Sequence, residues 1–91
     1  MTTTRERCER AVRHALARNA EVEPSADRLA VTDDLYEHGL TSLASARVML
    51  AVEGELEIEF PERILGRALF ASIERLTDAC VDLLETEGAA R

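Results

Sequence analysis

Asp34-Leu35-Tyr36-Glu37-His38-Gly39-Leu40-Thr41-Ser42-Leu43 decides how this chain is read. The run is an acid, a short spacer, Gly-Leu, one residue, and then Ser-Leu at the opening of a helical pattern. Gly39 permits a backbone conformation closed to other residues. Leu40 and Leu43 bracket Ser42 and are expected to anchor in the core while the serine faces outward. Ser42 then stands at a helix N-terminus, where free amides and the macrodipole favour an anion. A phosphodiester on Ser42 suits that position electrostatically. The same serine could instead be only a helix cap, its hydroxyl accepting from a first-turn amide.

Downstream, residues 42–56 read as a helix. Leu43, Ala46 and Leu50, with Met49 and Val52 beside them, supply an apolar face, and Ala44, Ala46 and Ala51 add helix propensity. Gly54 weakens the last turn. Residues 55–60 alternate acid and apolar. That pattern permits a strand, but a strand with no partner is not viable, so an extended loop with Ile58 and Phe60 inward is expected. Pro61 suits the first position of a short helix over 62–66. Ser72 can cap a last helix over 73–85, whose apolar stripe is Ile73, Leu76, Cys80, Leu83 and Leu84.

Upstream, Cys8, Ala11, Val12, Ala15 and Leu16 recur at three- and four-residue spacing, which predicts a helix over 5–19 with Thr4 as its cap. Residues 20–41 form a long connection, and loops of that length are usually functional or pinned by their own side chains. Leu29, Val31, Leu35, Tyr36 and Leu40 would pin this one. The expected fold class is all-α: a four-helix bundle of three main helices and one short one, with a long first loop. One domain over residues 1–87 and a disordered tail over 88–91 are expected, and no internal repeat is visible.

Size and charge narrow the function. Ninety-one residues make one small domain, which favours binding, scaffolding or carrying over an elaborate active site. No catalytic residue is assigned. The lack of Trp and the single Tyr argue against a base-stacking platform for single-stranded nucleic acid. The formal charge is −7, from 18 acids against 11 bases. Such a chain repels nucleic acid and anionic lipid overall, and proteins with basic patches are its expected partners. The charge is uneven: Arg5, Arg7, Arg10, Arg13 and Arg18 make the first segment basic, whereas residues 31–62 hold eight acids and Arg47 alone. Cys8 and Cys80 lie on apolar stripes without CxxC spacing, which points to buried thiols, a reducing compartment and a cytoplasmic location. No apolar run approaches a membrane span, and the N-terminal residues lack a secretory pattern.

Rival constellations fare poorly. Asp34, His38 and Ser42 lack the Gly-x-Ser-x-Gly elbow and an oxyanion scaffold. His14 and His38 have no metal-ligand spacing with either cysteine, so exposed polar residues are expected and no metal site is assigned. Ser45 is the one competitor to Ser42, but it sits inside the helix without a preceding Gly-Leu.

The stretch from Asp34 to Pro61 resembles the acyl carrier proteins. The resemblance rests on Asp34-Leu35, Gly39-Leu40, Ser42-Leu43, Met49-Leu50-Ala51-Val52-Glu53 and Ile58-Glu59-Phe60-Pro61, followed by Phe70-Ala71-Ser72-Ile73. It implies a four-helix bundle that is not itself an enzyme. It also implies a 4′-phosphopantetheine arm, taken from coenzyme A and attached to Ser42 by a phosphopantetheinyl transferase. Gly39, Leu40, Thr41 and Leu43 flank the attachment site, and the arm's thiol holds an acyl group as a thioester.

Thr41 replaces the family's usual Asp before the serine. Arg47 and Gly54 thin the acidic face of the second helix. Gly-Leu-Thr-Ser-Leu-Ala-Ser and Glu-Phe-Pro-Glu-Arg-Ile-Leu look closer to the stand-alone aminoacyl carrier proteins. The partners so implied are the transferase, an amino acid:carrier-protein ligase or acyl-loading synthetase, and a downstream acyl acceptor enzyme, all meeting a monomeric carrier. Arg47, Met49, Glu53, Glu62 and Arg63 are the expected partner-binding residues, and an apolar face including Met49 and Val52 is expected to meet the arm or a partner. The alternative from another class is a cofactor-free acidic helical interaction module.

Overall fold

The computed structural model describes residues 2–90, the side chains of 87–90 excepted. Three helices carry the fold: α1 (Thr4–Asn19), α2 (Ser42–Leu56) and α3 (Ile73–Ala90). No strand occurs among the described residues, so the all-α class holds. The expected short helix over 62–66 is instead two 3-10 turns, Glu62–Ile64 and Arg67–Phe70. Gly66 stands between them with extended backbone (φ 172°), which interrupts the helical path. The last helix runs past the expected end at residue 85, to Ala90. The tail expected over 88–91 lies outside the fully described residues.

Both α2 and α3 pack on α1. The buried stripe of α1 is the expected one, Cys8, Ala11, Val12, Ala15 and Leu16. Its cap is Thr3 rather than Thr4: the Thr3 hydroxyl accepts from Glu6 N at 3.1 Å, and the Glu6 carboxylate accepts from Thr3 N at 3.3 Å. That reciprocal box satisfies two amides at once, which Thr4 could not do without a glutamate three residues on. Ser72 caps α3 as expected, accepting from Arg75 N at 3.1 Å.

The apolar face of α2 differs from the expected one. Ser45, Val48, Val52 and Leu56 are buried, at intervals of three, four and four residues. Leu43 is 64% exposed and Leu50 62% exposed. Leu43 therefore does not anchor in the core, whereas Leu40 does. Residues 48–52 of α2 are apolar all round and Leu43, Ala44 and Ala46 precede them, so several faces satisfy helical spacing and tertiary packing selects among them. The helix also continues through Gly54 to Leu56 and is closed by Glu57 in the left-handed region (φ 54°), whose N–H donates to the Glu53 carbonyl. Ile58 and Phe60 then turn inward, as expected. The Glu53 carboxylate accepts from Phe60 N at 2.8 Å and so fastens this turn to α2.

The long connection has no regular helix and is held by directed polar contacts. Arg13 Nη1 donates to the carbonyls of Ala26 and Leu29 at 2.7 and 2.8 Å, while its Nε pairs with Glu9 at 3.0 Å. Leu35 N donates to Ala71 O and Glu74 N to Val31 O, tying the loop to the start of α3. Tyr36 donates its phenol hydrogen to Arg67 O at 3.2 Å, and the Arg67 guanidinium lies 3.7 Å from the Tyr36 ring centre. These bonds satisfy loop backbone that helices and sheets would otherwise satisfy. Leu29, Leu35 and Leu40 complete the pinning from the apolar side.

Two buried groups make the core testable. The Thr77 hydroxyl is buried and has no hydrogen-bond partner. Replacing it by an isosteric apolar group removes an unsatisfied polar atom, so Thr77→Val is expected to raise unfolding free energy by about 1 kcal/mol in a urea titration. Cys8 and Cys80 are free, fully buried and in side-chain contact between α1 and α3. Burial pushes the Cys80 thiol up to about 12, and burial pushes Cys8 the same way. The stability that protonated Cys80 contributes is whole below its unfolded value near 9 and is lost as pH rises toward about 12, because the unfolded chain releases the proton first. Unfolding free energy should therefore fall with pH above about 9, and Cys80→Val should flatten that slope in pH-resolved denaturation.

Candidate functional site

The site is built where the long connection meets α2. Gly39 has φ +112°, and a Cβ on it would stand 2.6 Å from the Glu21 carbonyl oxygen. The chain therefore needs glycine here twice, for its backbone angle and for the close approach of residue 21. The neighbouring pair seals the crossing. Glu23 N donates to His38 O at 2.9 Å, and His38 Nδ1 lies 2.6 Å from Glu23 O. A carbonyl only accepts, so Nδ1 carries the proton in that contact. His38 is half-buried and tied to the loop, whereas a merely exposed polar residue was expected. Leu40 N then donates to Leu35 O, and Leu40 drops into the core.

Thr41 follows with extended backbone and caps α2, its hydroxyl accepting from Ala44 N at 3.1 Å. The cap reading of Ser42 is thereby corrected: Thr41 holds that position, and Ser42 is the first residue inside the helix. Its side chain is exposed. By helix geometry the amides of Ser42 and Leu43 have no intrahelical acceptor. No acid lies in the first turn of α2. The Ser42 hydroxyl therefore projects into water at the positive end of the helix, with no carboxylate in that turn to repel an anion placed on it.

Ser45 is removed as a competitor by burial, with its hydroxyl donating to Thr41 O at 2.9 Å. Asp34 is used locally, accepting from Tyr36 N at 2.9 Å, so Asp34, His38 and Ser42 form no catalytic relay. His14 is exposed and lies 3.7 Å from Glu55. No group of three or more metal-ligating side chains gathers among the described residues. No helix among them is long and apolar enough to cross a membrane.

The expected partner-binding residues are scattered. Arg47, Glu62 and Arg63 are exposed, while Met49 and Glu53 are half-buried. Val52 is fully buried, so it is core and offers nothing to an arm or a partner. The large apolar surface that the site does offer is Leu43 and Leu50. Its one sequence signal is that α2 has more apolar residues than a single buried face can use.

The chain matches a family described as "Phosphopantetheine attachment site" over residues 10–80. It is 38% identical over 79 residues to the aminoacyl carrier protein of Agrobacterium fabrum (strain C58 / ATCC 33970), covering 87% of this chain and 95% of that one. Among solved structures, it resembles a chain of the crystal structure of an engineered Bradyrhizobium japonicum glycine:[carrier protein] ligase complexed with carrier protein from Agrobacterium tumefaciens and ATP. That match has a TM-score of 0.74 at 38% identity, over 79% of this chain and 94% of the other. A solution structure from Agrobacterium tumefaciens matches with a TM-score of 0.69 at 36% identity, over 91% and 99% of the two chains.

Replacing Gly39 tests how the site is built. Gly39→Ala is expected to cost about 1–3 kcal/mol, read as a lower urea midpoint, because the new methyl meets backbone rather than a yielding side chain.

Proposed function

We infer the function from family membership: the chain belongs to the phosphopantetheine attachment-site family, as a homologue of an aminoacyl carrier protein. Carriers of this kind are not enzymes themselves and are acted upon by enzymes. The proposal specific to this sequence is that Ser42 receives the 4′-phosphopantetheine. The observation that carries it is the exposed Ser42 hydroxyl at the first position of α2, with Thr41 doing the capping and Ser45 buried.

The remaining residues have supporting parts. Gly39 and Leu40 set the path of the chain into α2, Thr41 fixes the first turn, and the unpaired amides there favour the phosphodiester. When bound, the group supplies a thiol on a flexible tether, which holds an acyl cargo as a thioester at high effective concentration near a docked enzyme. The chain provides the attachment oxygen, a rigid base for the tether, and surfaces that enzymes recognise.

The cargo is read as an aminoacyl group, loaded by an amino acid:carrier-protein ligase. A carrier 38% identical to this chain is seen in complex with such a ligase, which supports that reading. A phosphopantetheinyl transferase acting on coenzyme A and a downstream acyl acceptor are the other partners proposed. Residues 1–87 are taken as the carrier domain, with Arg47, Met49, Glu62 and Arg63 among the residues enzymes meet. Two free, buried thiols fit a cytoplasmic setting.

The test is intact-protein mass after incubation with coenzyme A, magnesium and a broad-specificity phosphopantetheinyl transferase. The wild type is expected to gain one phosphopantetheine and Ser42→Ala none. Because Thr41 keeps the cap, Ser42→Ala should change unfolding free energy by less than about 0.5 kcal/mol. Modification of Ser42→Ala would move the attachment elsewhere and overturn the assignment.

A further inference from the structure

One stripe of exposed charge that runs toward the site has the opposite sign to the chain as a whole, although Glu55 lies 3.7 Å from His14 within it. Arg7, Arg10, His14 and Arg18 follow one another at intervals of three, four and four residues along α1. On a helix of 3.6 residues per turn that spacing stacks them along one side, and all four are exposed. Arg7, Arg10, Arg18 and Arg47 have no carboxylate within 4 Å among the described residues. The other two arginines of α1 are engaged, Arg5 with Asp78 at 2.7 Å and Arg13 with Glu9 and two loop carbonyls. Among the arginines of α1, the unpaired ones therefore share one side of the helix.

The stripe leads to the site. After Arg18, residues Asn19, Ala20 and Glu21 line a groove together with Thr41, Leu43 and Arg47. Leu43 follows Ser42 directly and is 64% exposed. An enzyme that takes the arm into its active site must come close to this edge. A partner lying along this face meets the stripe directly, and exposed charges more than a Debye length of roughly 8–10 Å from the contact are largely screened, so the stripe counts for more than the net charge of −7.

We propose that Arg7, Arg10, Arg18 and Arg47, with Leu43, dock an acidic patch with an apolar socket on the amino acid:carrier-protein ligase that loads the carrier. The proposal rests on the carrier reading of Ser42. Charge complementarity selects an acidic partner surface, and Leu43 supplies the apolar contact at the end of the stripe next to Ser42. A partner with a basic patch would have to dock elsewhere, on acids such as Glu57 and Glu59.

The experiment uses the engineered Bradyrhizobium japonicum glycine:[carrier protein] ligase as probe, with glycine, ATP and fully pantetheinylated carrier. Transferase-driven mass gain is checked first for every variant, which separates failure of the Ser42 reading from failure of the docking face. Arg10→Glu/Arg47→Glu is expected to raise the KM for carrier at least about 10-fold with kcat within about twofold. Raising salt from about 50 to about 300 mM should raise the wild-type KM and move that of the variant much less. Glu57→Gln/Glu59→Gln should leave KM unchanged. Arg10→Gln/Arg47→Gln, with helical circular dichroism compared throughout, replaces the charge-reversed pair if that pair misfolds.

An unchanged KM in the fully modified arginine variant overturns the proposal. So does a KM raised by the glutamate variant instead, which would place a basic partner patch on the acidic loop. Slowed transferase modification of the arginine variant together with normal ligase kinetics would reassign the face to the transferase. Failure of the ligase to load the modified wild type would remove the ligase as occupant. Absence of any phosphopantetheine on the wild type would bring down the Ser42 reading and this proposal with it.

Discussion

The close passage of Gly39 across the carbonyl of Glu21 is the constraint on which the site depends. Two lengths of irregular chain touch there through backbone alone, with no room for a methyl group. The pair of contacts between Glu23 and His38 holds the crossing shut. Leu40 can then enter the core, Thr41 can adopt the extended geometry of a cap, and Ser42 leaves the bundle at a fixed angle. A serine on a loose loop would present the same hydroxyl without the oriented amides behind it. The fold supplies orientation, and the loop, lacking a helix or sheet of its own, obtains rigidity from the guanidinium of Arg13 and from bonds to Ala71 and Glu74.

The architecture divides the tasks among its helices. α1 is the element on which both others pack, so its inner face is the most completely buried and its outer side is free to carry charge. α2 buries one narrow stripe and leaves Leu43, Ala46, Arg47 and Leu50 exposed. α3 and the two 3-10 turns close the far side and hold the long connection through Tyr36 and Arg67. A single small core thus supports an outward-facing serine and a surface beside it, with no buried reaction chamber required.

Much of this was legible in the residues, and the failures have physical causes. The stripe of α1 could be read because its polar and apolar residues separate cleanly. Ser72 could be read as a cap because no neighbour competes with it. The face of α2 could not be read, because Leu43, Ala46, Val48, Met49, Leu50 and Val52 satisfy helical spacing in more than one way. Val48, absent from the expected face, is buried because α2 packs on α1 with that side inward. The caps of α1 and α2 lie in Thr-Thr and Thr-Ser runs, where a shift of one residue changes which hydroxyl does the work. The roles of Arg13, His38 and Glu53 depend on backbone atoms far along the chain, which local pattern does not encode. The family resemblance, carried by an ordered series of short motifs, survived these errors because it rested on spacing rather than on any one helix face.

The contact of Cys8 with Cys80 has a consequence for chemistry at sulfur. Both thiols are enclosed between helices and held in the protonated form at neutral pH, so they are poor nucleophiles toward disulfides, alkylating reagents or activated esters. Sulfur encoded in the polypeptide is thus withheld from exchange while the protein stays folded. A native-state titration with a thiol reagent accordingly counts the sulfur that has been added to the chain, and only denaturant brings the two that were translated into the tally.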